Sequence, residues 1–83
     1  MDPKRWSKPL TYQAPTQPAP RTIGSTSEAV SVLANSWPID RGRSLKHAKK
    51  ACREVLEGKR PPSEARSAFI AAAVEANIFV REK

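Results

Sequence analysis

Only one pair of side chains in this sequence is of the types that nucleophilic catalysis requires. Cys52 is the single cysteine and His47 the single histidine, and a cysteine nucleophile needs a nearby base and a third group that orients this base. If both residues lie on one helix, their separation places the side chains about 140° apart. We therefore expect that the two side chains do not meet. One histidine and one cysteine are also too few ligands for a zinc site.

The other residues that could carry chemistry show no catalytic arrangement either. Cys52 falls on the apolar side of its predicted helix, where burial raises the pKa of a thiol and lowers its reactivity. The carboxylates are scattered along the chain. The segment GKRPPS lacks the upstream glycine of a phosphate-binding loop, and no Ser or Thr follows Lys59 directly. The sequence therefore predicts a protein that is not an enzyme and that needs no cofactor or metal.

Positive charge is concentrated in one segment of the chain. The net charge is +7, and residues 41–60 contain eight basic and two acidic residues. On the predicted second helix, four of these cations fall within a stripe about 100° wide. With two arginines at the helix start they form the candidate binding surface, which we call the basic face: Arg41, Arg43, Lys46, Lys49, Lys50 and Arg53. Such a surface favours an anionic partner.

The alternative interpretation is that these cations simply form a solvated helix face. It does not explain why the sequence accepts the cost of placing like charges close together and cations at the helix start. Lys46 and Lys50 are a like-charge pair four residues apart, and such a pair destabilises a helix by about 0.2–0.5 kcal/mol. Lys49 and Arg53 form a second pair of this kind. The two arginines lie at the helix start, where the helix dipole disfavours cations. Attraction to phosphate would offset these costs.

Two functions are consistent with this pattern. In the first, the basic face binds a polyanion such as a nucleic-acid backbone, with little sequence preference. An acidic protein surface would suit the basic face in the same way. In the second function, the domain is a protein–protein interaction module or a homodimer. It then uses surplus apolar surface on the third helix and at residues 78–80, and the basic face is merely solvated.

The sequence also predicts where the protein is found. No apolar run is long enough to cross a membrane, so we expect no membrane partner. Residues 1–10 lack the hydrophobic core of a signal peptide. We therefore expect a cytoplasmic protein.

The first of three predicted helices covers residues 25–37. Ser25 and Glu28 have the spacing of a capping box, in which each side chain satisfies a backbone donor at the helix start. Pro38 ends the helix, because it has no N–H and disfavours helical geometry at Trp37. We expect Trp37 to anchor the helix end in the core. The predicted buried face consists of Val30, Leu33, Ala34 and Trp37.

The second and third helices are separated by two prolines. The second covers residues 45–57, with Ser44 as its N-cap, and Gly58 follows as its stop. The third begins near Pro62 and ends at Asn77, a residue suited to a left-handed cap. Its apolar positions recur over most of its circumference, which is typical of a central helix. The predicted buried face of the second helix consists of Leu45, Ala48, Ala51, Cys52, Val55 and Leu56.

Residues 1–24 are predicted to form a short, loose β-hairpin. Residues 9–12 alternate as in an edge strand, and residues 21–23 are its antiparallel mate. Between them QAPTQPAP makes a mobile, Pro-rich loop. Residues 25–80 form the three-helix body, in which residues 78–80 run extended over the core, and residues 81–83 are a solvated tail. The expected fold is therefore α+β, a hairpin followed by three helices packed around the third.

Short motifs are distributed over most of the chain. They are Glu28-Ala29, Trp37-Pro38, Arg41-Gly42, Ala51-Cys52, Leu56-Glu57-Gly58, Ala65-Arg66, Ala68-Phe69-Ile70-Ala71-Ala72-Ala73, Glu75-Ala76 and Ile78-Phe79-Val80. Together they resemble a family of small proteins from rhizobia and related bacteria, known as domain of unknown function 982. Trp6, Pro9 and Leu10 resemble the start of that family's N-terminal strand pair, whereas QAPTQPAP departs from its pattern. The resemblance implies a hairpin followed by three helices, and it implies no activity, because the family has none assigned.

Overall fold

The structure is a computed structural model that describes residues 5–13, 19–35, 37 and 41–82. Its elements are, in chain order, β1 (Arg5–Gln13), β2 (Arg21–Ser25), α1 (Thr26–Asn35), α2 (Arg43–Leu56), α3 (Pro62–Glu75) and β3 (Phe79–Glu82). The predicted α+β fold, with a hairpin that precedes three helices, is confirmed. Most of QAPTQPAP lies outside the described residues, as does Pro38.

The three described strands form one antiparallel sheet in the order β2-β1-β3. Tyr12 lies opposite Arg21 on one side and opposite Val80 on the other. The first strand is therefore central, and its prediction as an edge strand was wrong. The prediction of a solvated tail at residues 81–83 was also wrong for the first two of these residues, because Arg81 and Glu82 pair with β1. These two charged residues carry little local strand signal, and the pairing with β1 draws them into the sheet.

Pro9 is accommodated in this central strand by an irregular register. The pairing of β1 with β2 shifts between Arg5 and Leu10. The pairing with β3 starts at Leu10. Pro9 has no N–H to donate to a ladder, and it lies in the stretch where neither ladder is regular.

The ends of α1 and α3 follow the predicted caps. The Ser25 hydroxyl accepts the Glu28 N–H at 3.2 Å, and the Glu28 carboxylate accepts the Gly24 N–H at 2.8 Å. At the end of α3, Asn77 has φ 59°, and the Ile78 N–H donates back to the Ala73 carbonyl at 2.8 Å. This bond satisfies a carbonyl of the last helical turn and turns the chain into β3.

The core is centred on α3, as predicted. This helix contacts both other helices, β1 and β3. Phe69 is fully buried and packs edge-on against Trp6, Tyr12 and Trp37, with ring centroids 6.1, 5.9 and 5.2 Å away. The predicted role of Trp37 as a core anchor is confirmed, although α1 itself ends at Asn35. Among the described residues, no helix is long and apolar enough to span a membrane.

Candidate functional site: a basic face beside an apolar groove

The basic face lies on the solvent side of α2 and just before its start. All six of its residues, Arg41, Arg43, Lys46, Lys49, Lys50 and Arg53, are exposed. The opposite side of α2 is buried against α1 and α3 through Leu45, Ala48, Ala51, Cys52 and Val55. Because this packing sets the rotation of the helix, the cations point outward together. Within the described residues, Lys46, Lys49, Lys50 and Arg53 form no ion pair.

The acidic residues near α2 are engaged by cations outside the basic face. Glu54 pairs with Arg60, whose other partner is Glu64 at 2.7 Å, and Glu57 pairs with Lys59 at 3.4 Å. The hydrogen bond from Arg60 lowers the pKa of Glu54 below its usual value, and the charge of Lys50 acts in the same direction. The carboxylates therefore lower the net positive charge at the C-terminal end of α2 more than in its middle.

The start of α2 is capped from another helix rather than locally. The prediction of Ser44 as N-cap was wrong, because α2 begins at Arg43 and follows Gly42. The Ser44 and Leu45 N–H groups instead donate to the two carboxylate oxygens of Glu75, each at 3.2 Å. Gly42 has φ 135°, and a Cβ there would lie 2.8 Å from the Glu75 Cδ. The carboxylate also offsets the cost of placing arginines at a helix start.

An apolar groove runs beside the basic face. It lies between α1 and α2, has a volume of about 420 Å³, and is lined by Val30, Leu33, Ala34, Lys49, Arg53, Leu56 and Glu57. Leu56 is 41% exposed and Ala34 is also exposed, so their prediction as buried residues was wrong. Leu56 is the last residue of α2 and continues the apolar pattern of the helix. At this position the neighbouring helices leave its side chain partly exposed.

The apolar surface expected on α3 and at residues 78–80 is largely covered. Ile78 is buried and Val80 is partly buried against the core. Val74 is 69% exposed, and it is the one large exposed hydrophobic residue among the described positions of α3. The apolar surface expected on α3 is therefore reduced to the exposed surface at Val74, and its use as a contact surface stays a prediction.

Cys52 and His47 are separated as predicted. Cys52 is buried and His47 is exposed, so they lie on different sides of α2. Burial raises the pKa of the Cys52 thiol to about 11. Among the described residues, no three His, Cys, Asp or Glu side chains are placed to hold a metal ion.

Comparisons with known proteins agree with this fold. A comparison with curated proteins gives no match. The chain is similar to the NMR structure of Agrobacterium tumefaciens protein Atu1219, with 33% sequence identity and a TM-score of 0.78 over 92% of this chain and 75% of that chain. Residues 8–80 match the family described as "Protein of unknown function (DUF982)". The chain therefore belongs to this family.

Proposed function

We propose that this protein binds a polyanion, such as a nucleic-acid backbone, through the basic face of α2. The observation that carries the proposal is the row Lys46, Lys49, Lys50 and Arg53, exposed and without an ion pair in the described part of the chain. We also propose that the protein meets this partner in the bacterial cytoplasm.

The length of the basic face suits several phosphates at once. Lys46 and Arg53 are about 10 Å apart along the helix axis, because each residue advances the helix by about 1.5 Å. The same length of duplex DNA carries roughly six charges. Contacts with four or five of these phosphates give a slope of about −4 for log K against log salt. Such contacts carry no base information, so we propose little sequence preference.

The test is a titration of a fluorescent DNA duplex, followed by anisotropy at several salt concentrations. The double variant Lys46→Gln/Lys50→Gln removes two cations from the centre of the basic face. We expect it to bind more weakly and to reduce the salt slope by about 2. Lys59→Gln is the matched control, since Lys59 is exposed but pairs with Glu57 outside the basic face. No binding at low salt, or an equal loss in the control, would contradict the proposal.

The groove between α1 and α2 favours a second candidate function, the binding of another protein. Its apolar walls are bordered by Lys49 and Arg53. This combination complements an amphipathic helix with acidic residues beside its apolar side. A symmetric dimer across the groove is disfavoured, because it would bring the same cations of the two copies together.

The two functions are separated by one substitution. Leu56→Gln places a polar group in the exposed part of the groove without changing any charge. We expect it to abolish binding of a designed Leu- and Glu-rich amphipathic peptide and to leave duplex binding within about twofold. Peptide binding that survives this substitution would contradict the second candidate. Light scattering on the same samples measures the oligomeric state.

A further inference from the structure

The apolar groove between α1 and α2 shares two cations with the basic face. Lys49 and Arg53 belong to the basic face and also line the groove. Lys46 and Lys50, the other two cations of the row, are not part of the groove wall. Arg53 follows Lys49 by four residues and precedes Leu56 by three, so these side chains are neighbours on one side of α2. The groove and half of the row therefore form one continuous surface.

The charge on the two walls of the groove is asymmetric. The wall that α1 contributes consists of Val30, Leu33 and Ala34, and it carries no charge. The single charged residue of α1, Glu28, accepts the Gly24 N–H at the start of that helix and does not line the groove. The positive charge is therefore confined to the wall that α2 contributes.

Glu57 places a negative charge at one end of the groove. It lines the groove, directly follows the last residue of α2, and pairs with the exposed Lys59 at 3.4 Å. Lys49 precedes it by eight residues and lies about 12 Å away along the helix axis. A ligand with acidic groups should therefore place them beside Lys49 and Arg53 and away from Glu57.

We infer that the groove binds an amphipathic helix of a partner protein, and that this helix displaces the polyanion from the basic face. The apolar side of the partner helix packs against Val30 and Leu56, and its acidic residues lie along the flank that meets Lys49 and Arg53. A helix with its side chains is about 10 Å wide, so it covers both cations. The inference rests on the proposed polyanion binding and gives it a competitor of defined chemistry.

The size of the competition follows from the number of shared cations. Each phosphate contact contributes about 0.9 to the slope of log K against log salt. The two contacts of Lys49 and Arg53 therefore correspond to roughly 60-fold in duplex affinity between 1 M and 0.1 M salt. We expect the bound helix to weaken duplex binding by at least this factor. By linkage, the duplex weakens binding of the helix equally.

The test adds designed helical peptides to a fluorescent DNA duplex bound to the protein, followed by anisotropy at about 0.1 M salt. Two peptides have leucines on one side; one has glutamates along one flank, and its matched control has glutamines there. We expect the Glu peptide to displace the duplex, and the Gln peptide to do so only at much higher concentration. The Glu peptide is itself anionic and does not bind DNA. Leu56→Gln should keep duplex binding within about twofold and lose the displacement.

The outcomes separate this inference from the proposed function. A ternary complex, in which labelled Glu peptide and duplex are bound together, would overturn the competition and leave polyanion binding intact. So would a Glu peptide that does not bind, equal displacement by the Gln peptide, or unchanged displacement in Leu56→Gln. A dimer that dissociates in Leu56→Gln would overturn the inference by assigning the groove to a second copy of the chain. No duplex binding at low salt would contradict the proposed function itself.

Discussion

The cap that Glu75 provides for α2 is a long-range interaction whose loss can be measured. Its carboxylate accepts two N–H groups of the first turn at 3.2 Å each. Glu75→Gln removes the charge and one of the two acceptors but keeps the shape. Loss of a helix cap costs about 0.5–2 kcal/mol, so we expect a decrease of about 1 kcal/mol in the free energy of unfolding. For a domain of this size the melting temperature falls by about 4–8 °C per kcal/mol.

Gly42→Ala should cost more than Glu75→Gln. An alanine at φ 135° is strained, by about 1–3 kcal/mol. Its Cβ would also overlap the Glu75 carboxylate and displace it from both N–H groups. We expect a total loss of about 3 kcal/mol in the free energy of unfolding, measured by urea denaturation with an unchanged slope.

A double-mutant cycle tests the geometry behind these values. The cycle compares Gly42→Ala/Glu75→Ala with Gly42→Ala and Glu75→Ala alone. In the double variant the overlap is gone, although the backbone strain remains. The combined loss should therefore fall short of the sum of the single losses by about 1 kcal/mol. Glu57→Gln is the control, because Glu57 pairs with Lys59 at the surface, where a pair contributes about 0–1 kcal/mol. Additive losses, or a loss in Glu75→Gln no larger than in this control, would refute the cap.

Three further outcomes are expected. Phe69→Ala removes the ring on which Trp6, Tyr12 and Trp37 pack. We expect the free energy of unfolding to fall by about 3–5 kcal/mol, which is close to the whole stability of a chain this short. Circular dichroism should show whether the variant folds. A decrease below about 1 kcal/mol would contradict the central role of this ring. Cys52 should react with iodoacetamide far more slowly in the native state than in urea at pH 8, because burial raises the pKa of its thiol to about 11; equal rates would disprove its burial. The unfolded thiol ionises near pH 9.0 and the folded one only near 11. The wild type should therefore lose stability relative to Cys52→Ala as the pH rises from 9 to 11; parallel pH profiles would contradict the shift.

Most of the helical body could be predicted from the sequence, because its signals are local. Ser25 and Glu28 act within one turn, Asn77 ends α3 by its own backbone conformation, and the apolar period places Leu45 and Val55 inside. The cations of the basic face follow from the same period, since a helix buried on one side exposes the other. These interactions join residues at most a few turns apart along the chain.

What only the tertiary structure decided are the pairings between distant segments. Residues 78–80 were predicted to be extended, but the continuation of the strand through Arg81 and Glu82 depends on pairing with β1. Glu75 replaces Ser44 as the cap of α2 because packing of α3 on α2 brings its carboxylate to the helix start. Packing between distant elements also leaves Leu56 exposed, and it brings the Arg66 side chain to the backbone carbonyl of Lys8. The sequence by itself determined the helices and the side of α2 that carries charge. The groove beside that charge depends on how α1 and α2 pack, which local periodicity does not encode.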